Sequence, residues 1–146
     1  MRLLAVNGHG FTGNDVIPVT GKLIGAARSG HPLRVYGDGQ QSRCFCYVAD
    51  TVEALVRLHG CAAARGQVFN VGGTEEISIQ NLARKVIESL RSKSAIEFIP
   101  YNQAYEPGFD DMRRRKPVVA KLAATIGFHP RTSLQSIIEL TAAAMV

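Results

Sequence analysis

The stretch Leu33-Arg34-Val35-Tyr36-Gly37-Asp38-Gly39-Gln40-Gln41-Ser42-Arg43-Cys44-Phe45-Cys46-Tyr47-Val48-Ala49-Asp50 decides how the rest of the chain is read. Leu33 to Tyr36 alternates apolar and polar positions as a short strand does, Gly37-Asp38-Gly39 is a turn, and Arg43 to Val48 is a second run rich in aromatic and β-branched residues. Two strands joined by a glycine turn read as a hairpin-like pair. Asp50 then stands in the N-cap position ahead of Val52, Leu55, Val56 and Leu58, whose spacing lays down one apolar helix face.

Upstream, Val16 to Arg28 has enough aliphatic residues for a helix, stopped at Ser29-Gly30 and barred from continuing by His31-Pro32. Downstream, Val68 to Val71 is a brief strand ended by Gly72-Gly73. Ser78 to Leu90 follows with Ile79, Leu82, Val86, Ile87 and Leu90 at helical intervals. Ile96 to Ile99 is another strand. Tyr101 to Pro117 is polar, charged and irregular, as segments that lie over a site often are. Val118 to Ile126 and Ser133 to Met145 read as closing helices, separated by Gly127-Phe128-His129-Pro130, with Thr132 or Ser133 as the cap. Short strands alternating with helices give an α/β class, and 146 residues with 46% hydrophobic composition suffice for a single domain spanning 1–146.

Composition narrows the function. No apolar run approaches the length of a bilayer span and no signal-peptide pattern opens the chain, so a cytoplasmic protein is expected. Cys44, Cys46 and Cys61 lack paired Cys-x-x-Cys spacing, and the four histidines are scattered, so no metal site is expected. The net charge of +5 favours anionic partners. It concentrates in Arg113-Arg114-Arg115-Lys116, a run without the interleaved aromatic residues of a nucleic-acid surface.

Val35 to Asp50 resembles the signature Val-Tyr-Gly-Asp-Gly, then Gln-x-Arg-x-Phe-x-Tyr-Val-x-Asp, of NAD-dependent epimerases/dehydratases, which are extended short-chain dehydrogenases/reductases acting on nucleotide sugars. Phe69-Asn70-Val71-Gly72-Gly73 with Ile77-Ser78-Ile79 is similar to the family's late strand and the helix after it. Gly108 to Pro117, with Ile126 to Pro130 and Thr132-Ser133-Leu134, is similar to the end of UDP-glucose 4-epimerases and UDP-glucuronate decarboxylases, the arginine stretch leaning toward the epimerases. The three motifs stand in the family's order.

The resemblance implies a carboxyl-terminal, substrate-binding portion, with most of the Rossmann half absent as in a fragment or a truncated homologue. It also implies NAD as the family cofactor and a UDP-sugar or similar nucleotide sugar as ligand. Substrate contacts fall on Val35, Tyr36, Gln40, Arg43 and Arg115. Arg43 and Arg115 would hold the diphosphate, and the strand from Leu33 to Tyr36 would face the base, with backbone groups reading the uracil edge. Planar guanidinium forks suit phosphate oxygens. Three adjacent arginines leave the choice of Arg115 open. The missing contact surface would appear as an exposed apolar patch, seeking either another chain that supplies the dinucleotide half or a second copy.

Gly8-His9-Gly10-Phe11-Thr12-Gly13 also fits G-x-G-x-x-G after Leu3-Leu4-Ala5-Val6. Gly8, Gly10 and Gly13 would hold NAD if that fingerprint were genuine, with Asp38 as the ribose-binding acid. A mid-chain register competes with it. Arg2, Gly8, Asn14, Asp15, Val16, Ile17 and Pro18 keep the order in which the family approaches its Val-Tyr-Gly-Asp-Gly turn, and Pro18 interrupts where a dinucleotide helix would run. The mid-chain register is preferred. Family chemistry needs a tyrosine activated by a lysine four residues on. None of Tyr36, Tyr47, Tyr101 or Tyr105 has one, so no catalytic residue is assigned.

Overall fold

A computed structural model describes Arg2–Leu3, Val6–Asn7, 19–106 and 111–145. Two short strands open it, β1 (Arg2–Leu3) and β2 (Val6–Asn7), followed by α1 (Val19–Arg28), β3 (Leu33–Tyr36), β4 (Ser42–Cys44), β5 (Cys46–Tyr47) and α2 (Val48–Gly60). Then come β6 (Asn70–Val71), β7 (Glu76–Ser78), α3 (Ile79–Ser89), β8 (Ile96–Ile99), α4 (Tyr101–Ala104), β9 (Arg114–Arg115), α5 (Ala120–Ile126) and α6 (Leu134–Ala144). The class is α/β with short strands between helices, as the alternation of periods indicates.

The strands fall into four small sets. β1 pairs with β6 and β2 with β5, both parallel. β3 pairs parallel with β8, and β4 lies between antiparallel β7 and parallel β9. β3 and β4 therefore do not form the expected hairpin. Gly37 and Gly39 take φ of +69° and +71°, a left-handed region open to glycine at little cost, and the five-residue connection carries β4 into a different sheet. That connection is pinned from below, because the Gln41 and Gly39 carbonyls accept the Ile79 and Gln80 amides at 3.0 Å each. Those amides are first-turn donors of α3 that have no partner within the helix.

The helices follow their sequence cues where a side chain can cap. Ser78 accepts the Asn81 amide at 3.2 Å and starts α3; Ser133 accepts the Ser136 amide at 3.1 Å and starts α6. Gly127 ends α5 at φ 62°. α2 differs. It begins two residues before Asp50, with Tyr47 at the N-cap and no side-chain cap. Asp50 instead reaches the Thr132 amide at 3.0 Å, tying α2 to the segment before α6.

The main core gathers α1, α3, α6 and β3: Leu23, Ile24, Leu33, Val35, Leu82, Val86, Ile137 and Ile138 are each at most 2% exposed. A smaller core joins Ala54, Phe69, Val71 and Leu122 under α2 and α5. The three cysteines are free, and among the described residues no cluster could hold a metal ion. No helix of the described residues is long and apolar enough to cross a membrane.

Gly73 is needed for a close approach: a Cβ there would collide with the Phe45 carbonyl oxygen, a backbone atom that no rotamer change can move. Gly73→Ala is expected to destabilise the chain by about 1–3 kcal/mol, the usual cost of overpacking. Gly60→Ala, facing open space, serves as the neutral control in the same urea titration.

Candidate nucleotide-sugar site

Alternation along β3 turns Leu33 and Val35 into the core and leaves Arg34 and Tyr36 on the other face. The strand's backbone alternates as well. The Leu33 and Gly37 amides donate to the Ala95 and Ile99 carbonyls of the β8 side at 2.8 Å. In a parallel ladder every second residue faces one neighbour, so Val35 also bonds toward β8, and Arg34 and Tyr36 direct their peptide groups to the opposite edge. Among the described residues no strand covers that edge.

A cleft of about 170 Å³ opens there, lined in part by Tyr36, Gln41, Arg43, Tyr101, Tyr105 and Asp111. A second hollow of about 150 Å³ shares Val19, Arg34 and Tyr36 with it and runs toward Lys22 and Pro32 along α1. The two make a groove along β3. The Tyr105 ring meets Tyr36 edge-on at 5.6 Å between centroids and Tyr101 at 6.0 Å, forming an aromatic wall. Burial, then the Asp111 carboxylate, pushes the Tyr101 phenol up from its ordinary range; burial, then Tyr36, does the same to Tyr105. Both phenols are neutral donors at pH 7.

Arg43 stands at the other end. Its side chain is 16% exposed and its Nη2 meets Asp111 Oδ1 at 2.5 Å. Nη1 donates to the Ser42 and Met112 carbonyls at 2.7 and 2.8 Å. The register pairs Arg43 with Arg115 across β4 and β9, and Ser42 with Arg114. Residues opposite each other on adjacent strands point to the same face, about 4.8 Å apart between strands. Arg43 and Arg115 thus share one face and Arg114 the other.

That alternation sorts the three arginines. Arg113 holds Asp38 at 2.6 Å. Arg114 grips both Glu76 oxygens, at 2.8–3.1 Å, across the face that also carries Ser42. Arg115 makes no hydrogen bond or ion pair among the described residues, and it stands beside the cleft rather than lining it. The Arg114 pair, then the Ser42 hydroxyl, draws the Glu76 carboxyl down to about 2. A carboxyl lowered on folding stabilises the native state above its unfolded value of 4.5 and loses that contribution as pH falls toward 2. Between those values the melting temperature is expected to fall less steeply in Glu76→Gln than in the natural chain, which a melting series against pH measures.

The remaining sequence-derived positions divide. Tyr36 lines the cleft; Val35 sits in the core at 0% exposure and supports the groove from behind. Gln40 turns away, donating to Gln80 Oε1 at 3.0 Å, whereas its neighbour Gln41 is 5% exposed and faces the cleft wall. Gln41 Nε2 donates to the Tyr36 carbonyl at 2.9 Å, which fixes the amide's orientation because a carbonyl only accepts. Among the described residues the Gln41 Oε1 has no hydrogen-bond partner. The Gln-x-Arg spacing of Gln41 and Arg43 was the signal for choosing Gln41. Asp111 carried no such signal, since only the fold brings it to Arg43.

Gly8, Gly10 and Gly13 lie outside the described residues. Their context does not favour a dinucleotide turn, which needs the strand before it to lie beside the strand ending in the ribose-binding acid. β1 and β2 pair with β6 and β5, while β3, the strand before Asp38, pairs with β8. Asp38 is committed to Arg113 and to the Gln40 amide. Among the described residues the strand pairing is therefore not the one a dinucleotide turn would need.

The short strands between helices that carry this groove form the α/β framework of extended short-chain dehydrogenases/reductases. The chain is a member of the NAD-dependent epimerase/dehydratase family, whose model matches residues 1–72. It is 41% identical over 118 residues to UDP-N-acetyl-alpha-D-glucosaminuronate decarboxylase of Bacillus cytotoxicus, covering 81% of this chain and 36% of the relative. It is 35% identical over 117 residues to UDP-glucuronic acid decarboxylase 2 of Arabidopsis thaliana, covering 80% and 24%. The chain therefore spans about a third or less of the length of these relatives. The crystal structure of UDP-glucuronic acid 4-epimerase from Bacillus cereus in complex with UDP-glucuronic acid and NAD superposes with a TM-score of 0.81 at 23% identity, covering 97% of this chain and 43% of that one.

Proposed function

We propose that residues 1–146 form one nucleotide-sugar-binding unit, taking a UDP-sugar along β3 with its diphosphate at Arg43 and Arg115. The observation that carries this reading is the β4–β9 register, which sets these two arginines side by side on one face at the end of an aromatic groove. Two guanidinium forks on adjacent strands suit two linked phosphates. Tyr36 lends ring surface, and the Arg34 peptide group and the Tyr36 amide, turned to the open edge of β3, suit the edge of a base, the Tyr36 carbonyl already accepting from Gln41 Nε2.

The sugar is proposed to be a hexuronate, because the relatives above are named for UDP-glucuronic acid and an N-acetylglucosaminuronate. A decarboxylase-type activity of the whole protein has at least as much support as a 4-epimerase type. In either case the family's NAD would supply hydride transfer when bound; the residues described here would bind and orient the substrate, with the Tyr101 hydroxyl donating a hydrogen bond to Asp111. Calorimetric titration with UDP, UDP-glucuronate, UDP-glucose and NAD in separate runs tests the reading. Binding of the UDP compounds without NAD is expected; binding of NAD alone would overturn it.

A second observation favours a partner surface. Val52 and Val56, one turn apart on α2, are 51% and 64% exposed. Apolar side chains so placed favour a covering partner, which in this family would be the dinucleotide-binding half, on the same or another polypeptide. A chain that stays monomeric in light scattering at high concentration, and binds no separately expressed dinucleotide half, would remove this reading.

A further inference from the structure

Arginine carries five N–H donors, and Arg43 has committed three of them. Nη1 uses both of its hydrogens on the Ser42 and Met112 carbonyls, and Nη2 uses one on Asp111 Oδ1. Among the described residues the Nε–H and the second Nη2–H have no further acceptor. Asp111 is itself held from its far side, its Oδ2 accepting from the Tyr101 hydroxyl at 3.4 Å. Tyr101 belongs to the aromatic wall. A line of contacts thus runs from the wall of the groove, through a carboxylate, to the guanidinium at its end.

A carboxylate beside an anion-binding arginine has two opposite readings. It can compete with the incoming phosphate for the guanidinium, or it can anchor the guanidinium so that its remaining donors are aimed. Donor bookkeeping favours anchoring. The carboxylate accepts one Nη2 hydrogen, two backbone carbonyls hold Nη1, and two N–H bonds are left for ligand without breaking any of the three contacts. A side chain only 16% exposed and held at three points has already lost the rotamer freedom that ligand binding would otherwise remove, and pre-organised donors bind more tightly for that reason.

Resting on the proposed function, we infer that Asp111, backed by Tyr101, is a positioning residue that fixes the Arg43 guanidinium and so sets affinity for the diphosphate of the ligand. Asp111 is not a competitor for the guanidinium, and it acts on the ligand through Arg43 rather than by touching it. The same anchoring makes the site selective for a phosphate that can take two parallel donors over a single-point anion.

The test titrates the full chain with inorganic pyrophosphate and with UDP, in the natural form and in Asp111→Ala, Asp111→Asn and Arg43→Ala, following the Arg43 Nε–H resonance by ¹⁵N NMR. Asp111→Ala is expected to weaken both probes about tenfold, or ~1.4 kcal/mol, and to abolish the shift of the Nε–H resonance on adding pyrophosphate. Asp111→Asn, which keeps an acceptor oxygen, is expected to weaken both by roughly two- to fivefold and carries the test if the alanine variant does not fold. Tighter binding in either variant would make Asp111 a competitor and overturn the inference. So would unchanged affinity, or a loss seen with UDP and not with pyrophosphate, which would place Asp111 against the nucleoside. If the natural chain binds neither probe, the nucleotide-sugar reading falls and this inference with it; if it binds and only Arg43→Ala fails, the reading stands and the inference alone is lost.

Discussion

Replacing Arg43 with alanine is expected to raise the Kd for UDP by at least roughly a hundredfold, because two charge-assisted hydrogen bonds to phosphate, each worth about 1.5–3 kcal/mol, vanish together. Calorimetry reads the loss directly. Arg43→Lys should recover less than a tenth of the natural affinity, since a lysine restores the charge as a point and not as a planar fork. The substitution also releases Asp111 and the Met112 carbonyl, which Arg43 holds at 2.5 and 2.8 Å, so a thermal melt must accompany the titration. A variant that melts with the natural chain and still binds UDP with natural affinity would place the phosphates elsewhere.

The second large effect lies beneath the groove. Leu82, fully buried on α3, packs in the core with Leu23, Ile24, Leu33, Val35 and Val86, and that core backs β3. Leu82→Ala removes buried methyl groups and leaves a cavity, which costs about 2–5 kcal/mol. For a chain of this size the melting temperature should fall by roughly 5–15 °C. Below the new transition UDP affinity should change little, because Leu82 is not among the residues that line the groove. If affinity and stability fall together at a temperature where the variant is still folded, the groove is more plastic than its contacts indicate.

Most elements were legible from local signals, and the misses have local reasons. α3 and α6 begin where Ser78 and Ser133 stand because a serine oxygen accepts an amide three residues on, an interaction written in sequence spacing. Asp50 carries the same chemical cue, yet its carboxylate goes to Thr132, 82 residues away. The turn Gly37-Asp38-Gly39 was equally plain, but a turn tells only that the chain reverses, not which strand receives it. β3 found β8, and β4 found β7 and β9, because burial of Leu33 and Val35 against α1 and α3 is worth more than pairing the two nearest strands.

The site shows the same division. Sequence alone determined the family, the order of its three motifs, the missing Tyr-x-x-x-Lys pair, and Arg43 as the first candidate for the diphosphate, because those features are residue types at fixed spacings along the chain. It named Arg115 as the second but left the choice among Arg113, Arg114 and Arg115 open, since adjacent cations look alike until a strand gives them faces. Tertiary structure gave them faces: the period-two alternation of β9 against β4 sets Arg114 on Glu76 and pairs Arg115 with Arg43. It also brought Asp111 to Arg43 and Gln41, rather than Gln40, to the cleft wall, contacts that depend on which backbone stretches lie next to one another and so exist only once the chain is folded.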